Sequence, residues 1–217
     1  TLLRSISVKF DKPPLFLTAM RYADRPSARL AAKSGWGNSG SMRGGRGTTA
    51  FSRAYARGDV SRYFTLNHGS IKHSLDWRTP PDELPYHDVL PLCVEGLCEL
   101  DHPFVFLARQ SVIELMRADG AGEKIEPLLP QVTRPLRAAL SSQDEGVRLA
   151  ALAALVALSE AVGPALNGSL QQLVPQVHRI SFARALRENA FEALHALAEN
   201  GGDEAIAAIK KKVPTFQ

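Results

Sequence analysis

The chain has 217 residues, 45% of them hydrophobic, which is enough for one sizeable domain and an appendage. Its formal charge of +4 hides a split: residues 1–50 carry nine Lys/Arg against Asp11 and Asp24, a net of +7, and residues 51–217 carry 17 basic against 20 acidic side chains, a net of −3. Cys93 and Cys98 are too few for a disulfide framework. The unbroken apolar run from Leu149 to Leu158 falls short of the ~18–20 residues that span a bilayer.

Residues 1–50 alternate weakly at Ile6, Val8 and Phe10, which suits a short extended segment. Pro13, Pro14 and Pro26 break any helix, and the glycines between Gly35 and Gly47 make the stretch pliant. Yet Phe10, Phe16, Tyr22 and Trp36 are large apolar groups of a kind that is sparse in tails that stay disordered. The expectation is a segment that becomes ordered on a partner. Arg4, Lys9, Lys12, Arg25 and Arg29 would supply charge, and Phe10, Phe16, Tyr22 and Trp36 apolar anchors. Phe51, Tyr55 and Arg57 would join them from the next element. A basic, unpaired extension suits a polyanion: nucleic acid, an anionic membrane or the acidic face of a filament.

Residues 51–59 read as a short helix stopped by Gly58, with Phe51, Ala54 and Tyr55 on one face. A β-hairpin at about 63–76 follows, from strands Tyr63 to Leu66 and Ile71 to Leu75 with turn chemistry at Asn67 to Ser70. Helices are expected near 88–100, 103–118, 123–141, 144–162, 166–179, 183–200 and 203–211. Asp88 and Asp144 are N-cap candidates, Pro103 suits a first turn, and Gly120, Gly163 and Gly201-Gly202 are stop signals. The helix after Asp144 is apolar nearly all round, which places it mid-fold. Pro127, Pro130, Pro135 and Pro175 fall inside expected helices and predict kinks. Lys210, Lys211 and Lys212 suit the last turn of the last helix.

Leu129-Pro130-Gln131-Val132 recurs as Val174-Pro175-Gln176-Val177, and Val147-Arg148-x-x-Ala151 as Leu186-Arg187-x-x-Ala190. Periods of about 40–47 residues belong to HEAT and armadillo repeats. The expected fold is therefore all-α: a HEAT/armadillo-like α-solenoid over 51–217 with one small β-hairpin, preceded by an extended basic segment over 1–50. Such arrays make binding surfaces more often than active sites.

The search for chemistry returns little. His68, His73 and His87 match no zinc spacing. Cys98 with His102 could be drawn as nucleophile and base, but Cys98 lies in an apolar stretch with Leu97 and Leu100, which predicts a buried, inert thiol. At about 100° per residue, Cys93 and Cys98 point about 140° apart on one helix and cannot pair. A reducing compartment is the corresponding expectation. The glycines of 35–47 have neither strand nor helix placed to make a dinucleotide or phosphate loop. Arg43-Gly44-Gly45-Arg46-Gly47 is too short to argue RNA binding on its own. No catalytic residue, metal or cofactor is expected, and no small-molecule substrate.

Several collinear pieces carry a resemblance. They are Thr49-Ala50-Phe51 with Tyr55-x-Arg57-Gly58-Asp59; Tyr86-His87, Leu90-Pro91-Leu92 and Glu95-Gly96-Leu97-Cys98-Glu99; Pro103-Phe104-x-Phe106-x-Ala108-Arg109-Gln110; Leu128-Leu129-Pro130-Gln131; Gly201-Gly202; and Val213-Pro214-Thr215-Phe216. They resemble the parkin co-regulated protein family. His68-Gly69-Ser70-Ile71-Lys72-His73, Trp77 and Val162-Gly163-Pro164-Ala165-Leu166-Asn167 make the chain most similar to the parkin co-regulated protein-like branch. The resemblance implies a small solenoid of cilia and flagella. It also implies a non-enzymatic structural protein that contacts tubulin and neighbouring axonemal proteins at the microtubule, with no membrane role. Residues 1–48 depart from the family pattern, so the address could be the doublet junction, the central apparatus or the basal body. The rival readings are a nucleic-acid-binding adaptor using 1–50, disfavoured by the net acidic remainder, and a soluble adaptor holding a peptide in its groove.

Overall fold

A computed structural model describes residues 49–67, 74–214 and 216. These are mostly helical, with one two-stranded antiparallel sheet. Helix α1 (Ala50–Arg57) starts at Thr49, whose hydroxyl accepts the Phe51 N–H. It stops at Gly58, where φ is 95°, a backbone that glycine adopts without strain.

Strands β1 (Phe64–Asn67) and β2 (Ser74–Trp77) pair with Phe64 opposite Trp77 and Asn67 opposite Ser74. The hairpin stands where the sequence puts it, but Asn67 is a strand residue opposite Ser74 rather than part of the turn, and β2 runs on to Trp77 rather than ending at Leu75. The aromatic pair accounts for the register. Rings of Phe64 and Trp77 lie 4.7 Å apart, and an aromatic cross-strand pair outweighs the alternation of Ile71, His73 and Leu75. Residues 68–73 lie outside the described set.

Seven further helices follow: α2 (Tyr86–Glu95), α3 (Phe104–Met116), α4 (Ala121–Ile125), α5 (Leu129–Leu140), α6 (Glu145–Val162), α7 (Leu170–Ser181) and α8 (Arg187–Lys212). Asp144 caps α6 as expected, accepting the Val147 N–H at 2.9 Å. Asp88 does not cap α2. It lies in the first turn, where its charge still complements the helix dipole, and Pro85 holds the cap position. The helix expected over 123–141 is split by a 3-10 turn (Glu126–Leu128) that accommodates Pro127. The one expected from 166 begins at Leu170, because Gly163–Ser169 wind as 3-10. Gly201-Gly202 interrupt α8 where the sequence puts a stop: Gly202, at φ 68° and ψ −157°, is non-helical, so α8 is two helical stretches joined across a kink.

Helices α2, α5 and α7 pack in succession, as do α3, α6 and α8, and cross-contacts join α2 to α3, α5 to α6 and α7 to α8. The result is two layers of three. Helix α6 is central, touching α3, α4, α5 and α8. Ala150, Ala151, Leu152, Ala153, Ala154, Leu155, Ala157 and Leu158 are all buried. The small residues let neighbours approach closely, and the leucines fill the space that remains. The stretch Glu145–Ser181 is long and apolar enough by composition to cross a membrane, although its unbroken apolar run is short. Core packing of α6 and α7 accounts for that composition.

The proline motif has a third copy that the sequence alone did not declare. Leu90-Pro91-Leu92-Cys93 in α2 matches the motifs that open α5 and run through α7. In all three, the residue before proline and the second residue after it are buried: Leu90 and Cys93, Leu129 and Val132, Val174 and Val177. Each copy lies on the first helix of a pair. Pro130 falls in the first turn of α5, where its missing N–H goes unnoticed, whereas Pro91, Pro135 and Pro175 are interior.

Candidate functional site

Of the twelve candidate partner-binding residues, Arg4, Lys9, Phe10, Lys12, Phe16, Tyr22, Arg25, Arg29 and Trp36 lie outside the described residues. Phe51, Tyr55 and Arg57 come together on α1 with different fates. Phe51 is 0% exposed and so is a packing residue, correcting its assignment as a partner contact. Its side chain faces Gly96 and the Ala108 methyl so tightly that a Cβ on Gly96 would meet them at 2.6–2.7 Å. Tyr55 is half-buried. Its ring is 6.1 Å from Phe51, 6.4 Å from Phe64 and, edge-on, 5.8 Å from Phe104, and burial pushes its phenol pKa up against a lowering by Arg78. Arg57 is exposed and pairs with Asp59 at 3.0 Å, so it is the most open of the three.

This aromatic cluster is locked by two carboxylates that the sequence did not single out, Glu99 buried and Glu114 half-buried. Glu99 is 2% exposed and accepts both the Thr49 N–H at 3.2 Å and the Thr49 hydroxyl at 2.6 Å. Glu114 accepts the Trp77 indole N–H and, at 2.6 Å, the Gln110 amide. The hairpin and α1 are thus pinned to the α2–α3 pair by charge-assisted hydrogen bonds, which are about twice as strong as neutral ones.

The two cysteines are free. Cys93 is fully buried, and burial pushes its thiol up to about 12 despite a hydrogen bond with Ser111. Cys98 is half-buried rather than buried as expected. Burial, then Glu99 and Glu95, raise its pKa against the lowering influence of Arg109. Both shifts disfavour the nucleophilic thiolate. His87 is exposed beside Asp88, at 3.2 Å, and His102 is exposed. His68 and His73 lie outside the described residues. Among the described residues no group of three or more metal-ligating side chains converges. A surface depression of about 590 Å³ between the α3–α4 turn and the end of α6 is lined by Asp119, Glu123, Glu126 and Glu160, with Arg117 bonded to Glu160 at 3.4 Å. It is open and carries no nucleophile–base pair.

Comparison with known proteins matches these same residues. The family described as Parkin co-regulated protein matches residues 49–217. Its first matched residue is Thr49, the cap of α1 that Glu99 holds. A curated relative, the Parkin coregulated gene protein homolog of Mus musculus, is 32% identical over 187 residues, covering 78% of this chain and 76% of the relative.

Proposed function

Because the chain belongs to the parkin co-regulated protein family, we propose that it is a non-enzymatic structural protein of the ciliary or flagellar axoneme, holding tubulin and neighbouring axonemal proteins together. The observation that carries this reading is the family match over the whole of 49–217, on a fold of helix pairs. The pairs are read as HEAT-like repeats. Three copies of a buried-Pro-x-buried motif support that, one on the first helix of each pair, at spacings within or near the range of such arrays.

Within this reading the two parts divide the work. Residues 1–50, with a net charge of +7 and four large aromatic side chains, are the filament-binding element. Charge draws the segment to an acidic surface, and the rings fix its register. The helix pairs present neighbouring proteins with a rigid face. Detergent extraction followed by a salt wash of axonemes from cells expressing the tagged protein tests the proposal. The protein should stay with the axoneme, and deletion of 1–48 should release it while the remainder stays folded. Full-length protein recovered wholly in the detergent-soluble fraction would sink the axonemal reading. Full retention of the truncated form would move the binding element into 49–217.

A further inference from the structure

Charge within the folded part is sorted by helix. Adjacent helices α5 and α7 contain no Asp or Glu. Exposed along α5 are Gln131, Arg134 and Arg137, and then Ser141 just past its end. Along α7 run Gln172, the half-exposed Gln176, Arg179 and, just past its end, Phe182 at 71% exposure. Steps of three and four residues put each set on one side of its helix. The Ser141 hydroxyl donates to Gln176 Oε1 at 3.0 Å and stitches the two sides together. Arg137 precedes Ser141 by four residues and Arg179 follows Gln176 by three, so both guanidinium groups arise about one turn from that bridge. Among the described residues, Arg134, Arg137 and Arg179 form no ion pair. The carboxylates that follow α5 have other partners: Asp144 caps α6, and Glu145 faces Arg148 at 3.9 Å. At the end of the strip the Phe182 ring leans on His178, with centroids 5.0 Å apart.

We propose that this α5–α7 face binds an acidic, extended polypeptide segment that sets an apolar side chain on Phe182. The inference stands on the charge pattern of the folded part and does not rest on the axonemal reading. All three cations are arginines, whose planar forks match carboxylates two bonds at a time. From Gln131 to Ser141 the strip rises ~15 Å, the reach of about five residues of extended chain. The strip ends at carboxylates, with Glu126 before α5 and Glu188 in the first turn of α8. A nucleic acid needs a longer basic track with several stacking rings, and here there is one. The acidic partner is therefore a short peptide segment rather than RNA.

The test uses the full chain and a fluorescent glutamate-rich peptide with one central phenylalanine. Binding should protect α5 and α7 from hydrogen exchange. The R134E/R137E/R179E variant should bind about tenfold more weakly, with the loss largest at low salt. F182A should weaken binding by a few-fold at every salt concentration, because it removes apolar burial rather than charge. R4E/K9E/K12E should leave the α5–α7 footprint in place. The charge-neutral R134Q/R137Q/R179Q serves if the reversal variant melts early. The proposal fails if a folded triple variant binds like the original or if the footprint falls elsewhere. It also fails if a single-stranded oligouridylate occupies the same helices more tightly than the peptide.

Discussion

Helix α6 is held along its middle by alanines and leucines, whereas α1 is held by one ring, one hydroxyl and one buried carboxylate. Around α6, from Ala150 to Leu158, stability comes from area removed from water and from close approach, spread over many side chains. Around α1, Phe51 fills a slot against Gly96 and Glu99 takes both donors of Thr49. The first arrangement is insensitive to any one polar group but has no room for one. The second depends on a few atoms, so a small change can free α1 and leave the helix pairs standing.

The largest expected effect breaks the first arrangement. Leu152→Asp and Leu155→Asp each set a carboxylate at a site that is 0% exposed. An unpaired buried charge costs several kcal/mol against a total stability of ~5–15 kcal/mol, so neither variant should give a cooperative melt near that of the original. Ordinary melting of either would show α6 to be a surface helix.

Gly96→Ala comes next, and it tests the slot. The new methyl would meet Ala108 Cβ at 2.6 Å and Phe51 Cγ at 2.7 Å, so both α3 and α1 must give way. Overpacking of this kind costs ~1–3 kcal/mol. Hydrogen exchange should quicken in α1 ahead of α6; equal quickening in both would show that the two regions are not separable.

Glu99→Ala probes the carboxylate. Losing a charge-assisted partner while leaving the Thr49 donors in place should cost ~1.5–3 kcal/mol, read as a lower urea midpoint. The accompanying rise in exchange should centre on the first turn of α1. A neutral result would mean that the Phe51 slot alone holds the helix.

The smallest effects concern the thiols. Cys93 should resist alkylation in the folded protein, and Cys98 should react slowly, both regaining ordinary rates in urea. Stability carries the matching pH dependence. The Cys93 thiol ionises near 8.5 in the unfolded chain and at about 12 in the folded one. Its contribution is therefore full below pH ~8.5 and falls progressively as pH rises toward that folded value. Cys93→Ala should flatten that slope, and rapid labelling of native Cys93 would contradict its burial.

Much of this was readable in the residues. The Asp144 cap, the Gly58 stop and the all-round apolar character of α6 are local signals, each set by a few neighbouring atoms, and the structure has all three. What sequence reasoning missed depended on contacts far along the chain. Glu99 lies fifty residues from Thr49, and nothing near it announces burial. A helix carried on to residue 100 would also have obscured the inversion that follows it. The 3-10 turn (Gly96–Cys98) changes the phase, so Glu99 turns inward and Leu100 is left 58% exposed. The β2 register depended on Phe64 finding Trp77, not on the alternation around Ile71. Phe51 was assigned outward because an aromatic face reads alike whether it meets a partner or its own core. The basic face of α5 and α7 was hidden by summation: a net of −3 over 51–217 averages away two helices with no acid in them.

The bond between Glu99 and Thr49 has a mechanical side. Thr49 opens the described residues, so a pull along the backbone from the residue before it reaches α1 through Thr49. Its N–H and hydroxyl both end on one carboxylate rooted just after α2, and Phe51 is wedged two residues further on. Tension arriving from upstream would thus be shared between a charged hydrogen-bond pair and an apolar plug before any backbone bond inside α1 is stretched. Under the axonemal proposal that junction is the strain relief of the cable: it sets how much of a backbone pull arriving at Thr49 reaches the helices behind it.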